Sequence, residues 1–241
     1  MNFIDTHIHL QDFKMSFALD VLNNDNVKKM FVVASKSLDF EKIAKLVDDF
    51  PYKVVGGFGV HPWYVKDDAD LGLVEEYLKK YENAMVGEIG VDGIKGEVTD
   101  IQHYMFDEQI KLAKKFKRNV IIHGAKAFEP LKMHENSLKE VRFVYHGFSK
   151  NEELIKFINK CGGWFGLGSM FVKQKKAKDL FLMMPRDKIL FETDAPYQLN
   201  EKNYCEEVIT NINMLANALH LDIDELKALL IDNAERFLDG K

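Results

Sequence analysis

Short apolar runs alternate with longer amphipathic stretches from one end of this chain to the other, the βαβα rhythm of a parallel sheet. The pattern predicts strands over Phe3 to Asp5, Met30 to Ala34, Val54 to Gly59, Met85 to Ile89, Val120 to His123, Phe143 to His146, Trp164 to Leu167 and Ile189 to Glu192. Each run is almost unbroken in apolar residues, as expected of strands covered on both faces. Eight such strands close a barrel. Between them the spacing changes to a helical one. In Thr99 to Phe116, Met105, Phe106, Ile110, Leu112, Ala113 and Phe116 form one stripe, and Asp107, Lys111, Lys114 and Lys115 are left for solvent. Ser149-x-x-Glu152 reads as a capping box and Asp222-x-x-Glu225 as a looser helix start. A final helical region from Glu201 to Asp239 follows the eighth strand. The expected fold class is α/β, a TIM-type (β/α)8 barrel with extra C-terminal helices, and residues 1–241 read as a single domain.

The 241 residues suit one barrel without requiring a second unit, and 46% hydrophobic content excludes intrinsic disorder. A net charge of −5 argues against a protein that coats duplex nucleic acid with a basic surface, though a pocket for one strand end stays open. The first residues lack the basic and apolar regions of a secretion signal, and no stretch is long enough for a membrane span. A soluble cytoplasmic protein with no membrane association is the expectation, and no obligate protein partner is evident. Cys161 and Cys205 are too few for a disulfide framework and read as reduced thiols.

The informative positions are the polar residues that interrupt the apolar runs. His7 and His9 end the first strand, His61 follows the third, Glu88 closes the fourth, His123 the fifth, His146 the sixth, and Asp194 follows the eighth. In a parallel barrel the carboxyl ends of the strands share one face, where barrel active sites lie, so these residues would meet. Individually each has a bland explanation. A lone strand-end histidine is more often structural, Asp194 before Ala195-Pro196 suits a turn, and a lysine could pair Glu88. Together, four histidines and two carboxylates supply ligands for two divalent cations, with a shared carboxylate as the natural bridge. His103, His134 and His220 fall in helical or loop stretches and receive no role. There is no nucleophile elbow of the Gly-x-Ser-x-Gly type and no phosphate-binding Gly-x-x-x-x-Gly-Lys loop. Lys114 to Arg118 and Lys173 to Lys178 read as solvated helix faces, the second placed where it could steer a phosphate.

These residues resemble the TatD family of metal-dependent deoxyribonucleases, within the amidohydrolase-like barrels. The resemblance is collinear: Ile4-Asp5-Thr6-His7-Ile8-His9, Gly59-Val60-His61-Pro62, Gly87-Glu88-Ile89-Gly90-Val91-Asp92, Phe106-Asp107-Glu108-Gln109, Ile121-Ile122-His123, His146-Gly147-Phe148-Ser149, Glu192-Thr193-Asp194-Ala195-Pro196 and Asn233-Ala234-Glu235-Arg236-Phe237. It implies a hydrolase that uses two divalent cations, magnesium or manganese, and acts on a DNA strand end as an exonuclease, while the histidine-rich ligand set keeps zinc as a further candidate. It also implies that His7, His9, Glu88 and Asp194 hold one metal, that Glu88, His123 and His146 hold the second, and that His61 and Asp92 lie on the substrate side or behind the ligands. Asp194 is the expected general base and Glu88 the expected bridge. Two positions depart from the family: Gly93 stands where a tyrosine is common, and Ala125 where an arginine is common. The open alternatives are a metal-dependent hydrolase of ester, amide or acyl bonds on a small molecule or aminoacyl substrate, and a non-catalytic barrel that binds a partner at its mouth.

Overall fold

The computed structural model describes residues 2–67, 70–149, 151–199 and 204–239. Its eight parallel strands are β1 (Phe3–Ile8), β2 (Val27–Val33), β3 (Val54–Gly57), β4 (Val86–Gly90), β5 (Val120–His123), β6 (Phe143–Tyr145), β7 (Trp164–Leu167) and β8 (Ile189–Phe191). Helices α1 (Met15–Leu22), α2 (Phe40–Asp49), α3 (Leu71–Lys80) and α4 (Asp100–Phe116) follow the first four strands. The later connections carry α5 (Phe128–Lys132), α6 (Glu135–Leu138), α7 (Glu152–Lys160), α8 (Ser169–Val172) and α9 (Ala177–Phe181), and α10 (Tyr204–Leu219) and α11 (Ile223–Asp239) close the described chain. The expected (β/α)8 barrel is the observed fold. Strands β1 to β3 form one ladder and β4 to β8 another. Single parallel bridges, Gly57 to Met85 and Ile8 to Ala195, join the two ladders at both seams and close the ring.

Apart from Lys28 and Lys29 in β2 and His123 at the end of β5, every strand residue is buried, which is why the strands read as continuous rather than alternating. The alternation is still present in space. Ile4, Phe31, Val33, Val55, Met85, Ile121, Val144, Trp164 and Leu190 fill the barrel interior, while Met30, Val32, Val120, Ile122, Phe143 and Phe165 pack outward against the helices. Below this interior layer, α11 turns Ala234 and Phe237 into the barrel floor. Phe237 stacks against Phe31 and meets Trp164 edge-on. Asn119 and Arg142 donate to the Phe237 and Arg236 carbonyls at 2.6 and 2.8 Å, satisfying the open end of the helix. Asn233, fully buried, donates to the Arg186 and Ile189 carbonyls. The C-terminal motif is therefore a plug.

Two local expectations are revised. The cap of α7 is Asn151, whose Oδ1 accepts from Leu154 N at 3.2 Å, rather than Ser149; an Asn immediately before the first helical residue outcompetes a more distant serine. Asp222 does cap α11, accepting from Asp224 N and Glu225 N. The C-terminal helical region holds the expected extra helices, α10 and α11, and residues 201–203 of it lie outside the described residues. Lys173 to Lys176 are an exposed turn between α8 and α9, because the apolar stretches on either side are too short for one long helix. Lys114 and Lys115, by contrast, do lie on the solvated face of α4, paired with Glu140 and Glu75. Among the described residues, no helix is long and apolar enough to cross a membrane. Cys161 and Cys205 are free thiols.

Candidate metal centre

Strand parity carries the candidate side chains to the top of the barrel. Ile121, Val144 and Leu190 point inward, so two residues further on His123, His146 and Glu192 do the same, one layer higher. β1 and β4 break strict alternation. Their pairing slips between Asp5 and Ile8, and between Val86 and Ile89, and these irregularities admit His7 and Glu88 to the interior while Ile8 and Ile89 face the helices. Asp194 lies just past β8 with φ of 53°, a left-handed conformation that Asp tolerates better than most side chains. Its backbone N–H donates to the His7 carbonyl, and His9 N–H to that of Ala195, so the β1/β8 seam fixes all three ligand candidates.

Glu88 is the hub. Its Oε1 lies 2.7 Å from His146 Nε2, 2.8 Å from His123 Nδ1 and 3.6 Å from His61 Nε2. Its Oε2 lies 3.5 Å from both His7 Nε2 and His9 Nε2. Asp194 Oδ1 approaches the same two nitrogens at 3.7 and 3.5 Å. Ring nitrogens also face each other, His7 to His9 and His123 to His146, each at 3.2 Å. Imidazole nitrogens converging with carboxylate oxygens in a buried cluster are a donor set that suits a cation. The donors form three overlapping groups: His7, His9 and Glu88; His7, His146 and Asp194; His61, Glu88 and His123. All seven residues named from strand ends thus come together. His146 stacks on His7 at 4.0 Å between centroids and so neighbours both halves of the cluster, while His61 approaches Glu88 more closely than a purely peripheral residue would.

The outer nitrogens of His123 and His9 are hydrogen-bonded. Asp92 Oδ2 holds His123 Nε2 at 2.7 Å, which leaves Nδ1 for the centre. Glu192 lies 3.8 Å from His146 Nδ1 and accepts from Gly147 N–H. Ser35 Oγ reaches His9 Nδ1 at 3.4 Å. His61 is different. Its Nδ1 accepts from Trp63 N–H at 3.1 Å, so the neutral ring carries its proton on Nε2 and presents an N–H, not a lone pair, to Glu88. That places His61 as a donor beside the cluster.

Burial opposes charge throughout the centre, and the outcome depends on partners. Burial alone would raise the Glu88 pKa, but His146, His61, His7 and His123 outweigh it and hold the carboxyl well below its ordinary value. Asp194 is likewise held low against burial, chiefly by His9 and His7. Burial resists protonation of His9 and His146, yet their carboxylates lift them to about 10 and about 9. His7 and His61, dominated by burial, fall to about 4 and about 3. Glu192, deeply buried with few donors, is pushed up to about 8. Gly166 makes room for it, since a Cβ there would lie 2.0 Å from Glu192 Oε2.

Several supporting residues were not singled out in the sequence. Gln109, 1% exposed on α4, accepts from Val60 N–H at 2.7 Å and so anchors the backbone next to His61; Gln102 accepts from Asp92 N–H at 3.0 Å. Their signal was polar residues on the buried stripe of an otherwise amphipathic helix. Glu192 was visible as a charge ending an apolar strand. Gly93 is explained by space: a Cβ would meet the Lys126 carbonyl at 2.5 Å, because Gly93 N–H bonds Ala125 O and draws the two loops together. His103 and His134 lie outside the centre, in a chain from His103 Nδ1 to His134 Nε2 to Asp107 at 2.7 and 2.8 Å.

The family model described as TatD related DNase matches residues 4–239. The chain belongs to this TatD-related family. A Haemophilus influenzae protein named an uncharacterized metal-dependent hydrolase is 30% identical, with 97% of this chain and 98% of that one covered. The human deoxyribonuclease TATDN3 is 25% identical over 96% and 92%. The crystal structure of YjjV, a TatD homologue from Escherichia coli, superposes with a TM-score of 0.82 at 25% identity, covering 98% and 97% of the two chains. Membership in the TatD-related family makes the chain a metal-dependent hydrolase, and the buried His and carboxylate cluster at the barrel mouth is its candidate centre.

Proposed function

We propose that this hydrolase is a deoxyribonuclease that removes nucleotides from a DNA strand end, with His7, His9, Glu88 and Asp194 serving one divalent cation and Glu88, His123 and His146 a second, magnesium or manganese before zinc. The observation that carries the reading is the position of Glu88: one carboxylate sends its two oxygens to two different sets of histidines. A shared carboxylate between paired sites is the arrangement that phosphodiester displacement uses. When bound, the cations supply a water of lowered pKa and neutralise charge on the phosphate.

The protein side chains do the rest. Asp194 stays ionised at neutral pH and is the general base that accepts the proton of the attacking water. Gln198 Nε2 donates to Asp194 Oδ2 at 2.8 Å and fixes the carboxylate plane, leaving Oδ1 toward His7 and His9. His61, kept neutral, offers its Nε2–H to a non-bridging phosphate oxygen. Asp92 holds His123 in one tautomer throughout.

The test is cleavage of end-labelled DNA by metal-stripped protein with magnesium or manganese restored, beside an Asp194→Asn variant. A ladder that shrinks from one end, needs metal and disappears in the variant is expected. Absence of cleavage by protein with measured bound metal would overturn the nuclease reading in favour of acyl or small phosphoester substrates, with Gly93 and Ala125 marking the changed pocket.

A further inference from the structure

Three exposed aromatic side chains gather around the metal centre, whereas the other strongly exposed rings, Tyr52 and Tyr104, are single side chains. Trp63, Tyr64 and Tyr197 keep 41%, 40% and 63% of their surface open. They are not scattered. The Trp63 indole lies 5.1 Å from the His61 ring and 6.5 Å from His123, and Tyr64 lies 6.2 Å from His61. Tyr197 packs edge-on against His9 at 5.2 Å. Trp63 therefore flanks the His61 and His123 half of the centre and Tyr197 the His9 half, with Glu88 between them.

Both rings have carboxylate neighbours. The Trp63 indole neighbours Asp92, the same carboxylate that braces His123, and Tyr197 Oη donates to Asp12 at 2.9 Å. Cations accompany them: Lys95 Nζ lies 3.8 Å from the Trp63 ring centre and Lys36 Nζ 5.5 Å from that of Tyr64. Aromatic faces with interleaved lysines beside a phosphate-processing centre are the elements of a nucleobase platform. A small acyl substrate would leave these faces in water.

We propose that Trp63 and Tyr197 are specificity-determining residues that stack the bases on either side of the scissile phosphodiester, Trp63 being the principal platform and Lys95 the cation for the adjoining phosphate. This rests on the deoxyribonuclease reading above. Stacking fixes the strand relative to Glu88 and Asp194 without reading sequence, because every base has a π-face. Its contribution falls mainly on KM, since the bases lie away from the bond that breaks.

The experiment compares two oligonucleotides on the metal-loaded enzyme, one intact and one whose two terminal nucleotides carry no base. For the wild type, KM should rise about fivefold or more on the base-free end, with kcat changing less. Trp63→Ala should bring the two KM values together, and Trp63→Phe, which keeps an aromatic face but loses the indole N–H, should separate them again. Tyr197→Ala should narrow the gap partly. Equal KM values for the two ends in a wild type that cleaves DNA would overturn the stacking proposal alone, as would a gap that persists in Trp63→Ala. Failure of the metal-loaded wild type to cleave either end would overturn the deoxyribonuclease reading and this inference with it.

Discussion

The two ends of the barrel are built from the same strands and treat polarity in opposite ways. At the floor, α11 inserts Ala234 and Phe237, and the polar groups around them are paired: Asn119 and Arg142 cap the helix carbonyls, and Asn233 bonds two backbone oxygens. At the mouth, five histidines, Glu88 and Asp194 are buried with nitrogen facing nitrogen, and the outer Nδ1 atoms of His7 and His146 have no hydrogen-bond partner. Buried polar groups normally find partners, and although Arg118 Nε near the floor lacks one, the concentration of imidazoles and carboxylates at the mouth marks where a ligand belongs. The floor determines whether the chain folds. The mouth determines what the folded chain does.

Substitution at each end separates these roles. Glu88→Gln keeps the volume and removes the shared charge, and should lower kcat on the order of a thousandfold, measured with metal content, while circular dichroism stays unchanged. Phe237→Ala should cost about 3–5 kcal/mol of unfolding free energy by loss of packing against Phe31 and Trp164, with activity per folded molecule retained. A Phe237→Ala enzyme that lost activity as steeply as stability would break the division between the ends.

Behind the candidate ligands, Asp92→Asn exchanges a carboxylate for an amide at His123 Nε2 and should cost about 10–100-fold in metal affinity or activity. Titration calorimetry on the variant and the wild type checks it. Next comes proton linkage. Without a cation, His9 and His146 keep their protons up to about 10 and about 9, above their unfolded value. Their contribution to stability is then complete below about pH 6.5 and is lost as pH rises through 9 to 10. Metal binding at pH 7 must expel these protons, so affinity should rise about tenfold per pH unit for each proton released. Calorimetry in two buffers of different ionisation enthalpy counts them, and a count of zero would contradict the protonated cluster.

Both ends were legible in the sequence to different depths. The eight strands were readable because continuous apolar runs mark strands covered on both faces, and the site candidates because a charge or imidazole ending such a run has few structural explanations. The grouping around Glu88 came from the family resemblance and not from periodicity, because it depends on pairing slips in β1 and β4 that no periodicity records. The proton position on His61 was equally hidden, since a backbone N–H two residues away sets it. Gln109 illustrates an intermediate case. Its burial among Met105, Phe106 and Ile110 could be inferred from the stripe, but its partner, the backbone of Val60, lies 49 residues earlier and belongs to another layer of the fold.

The smallest expected effect concerns the lysines of the β7 connection. Lys175 and Lys176 are exposed in the turn between α8 and α9, so their charge acts through solvent. They follow a strand whose carboxyl end faces the mouth, which makes them candidates for steering an anionic strand rather than holding it. Lys175→Glu with Lys176→Glu should lower kcat/KM for DNA by about tenfold or less at low ionic strength, and the difference should shrink toward none as salt shortens the Debye length to about 8 Å. Melting temperature should not change. A loss that survived high salt would mean direct contact with the strand, and the boundary of the mouth would then extend past the aromatic rim to the turn between α8 and α9.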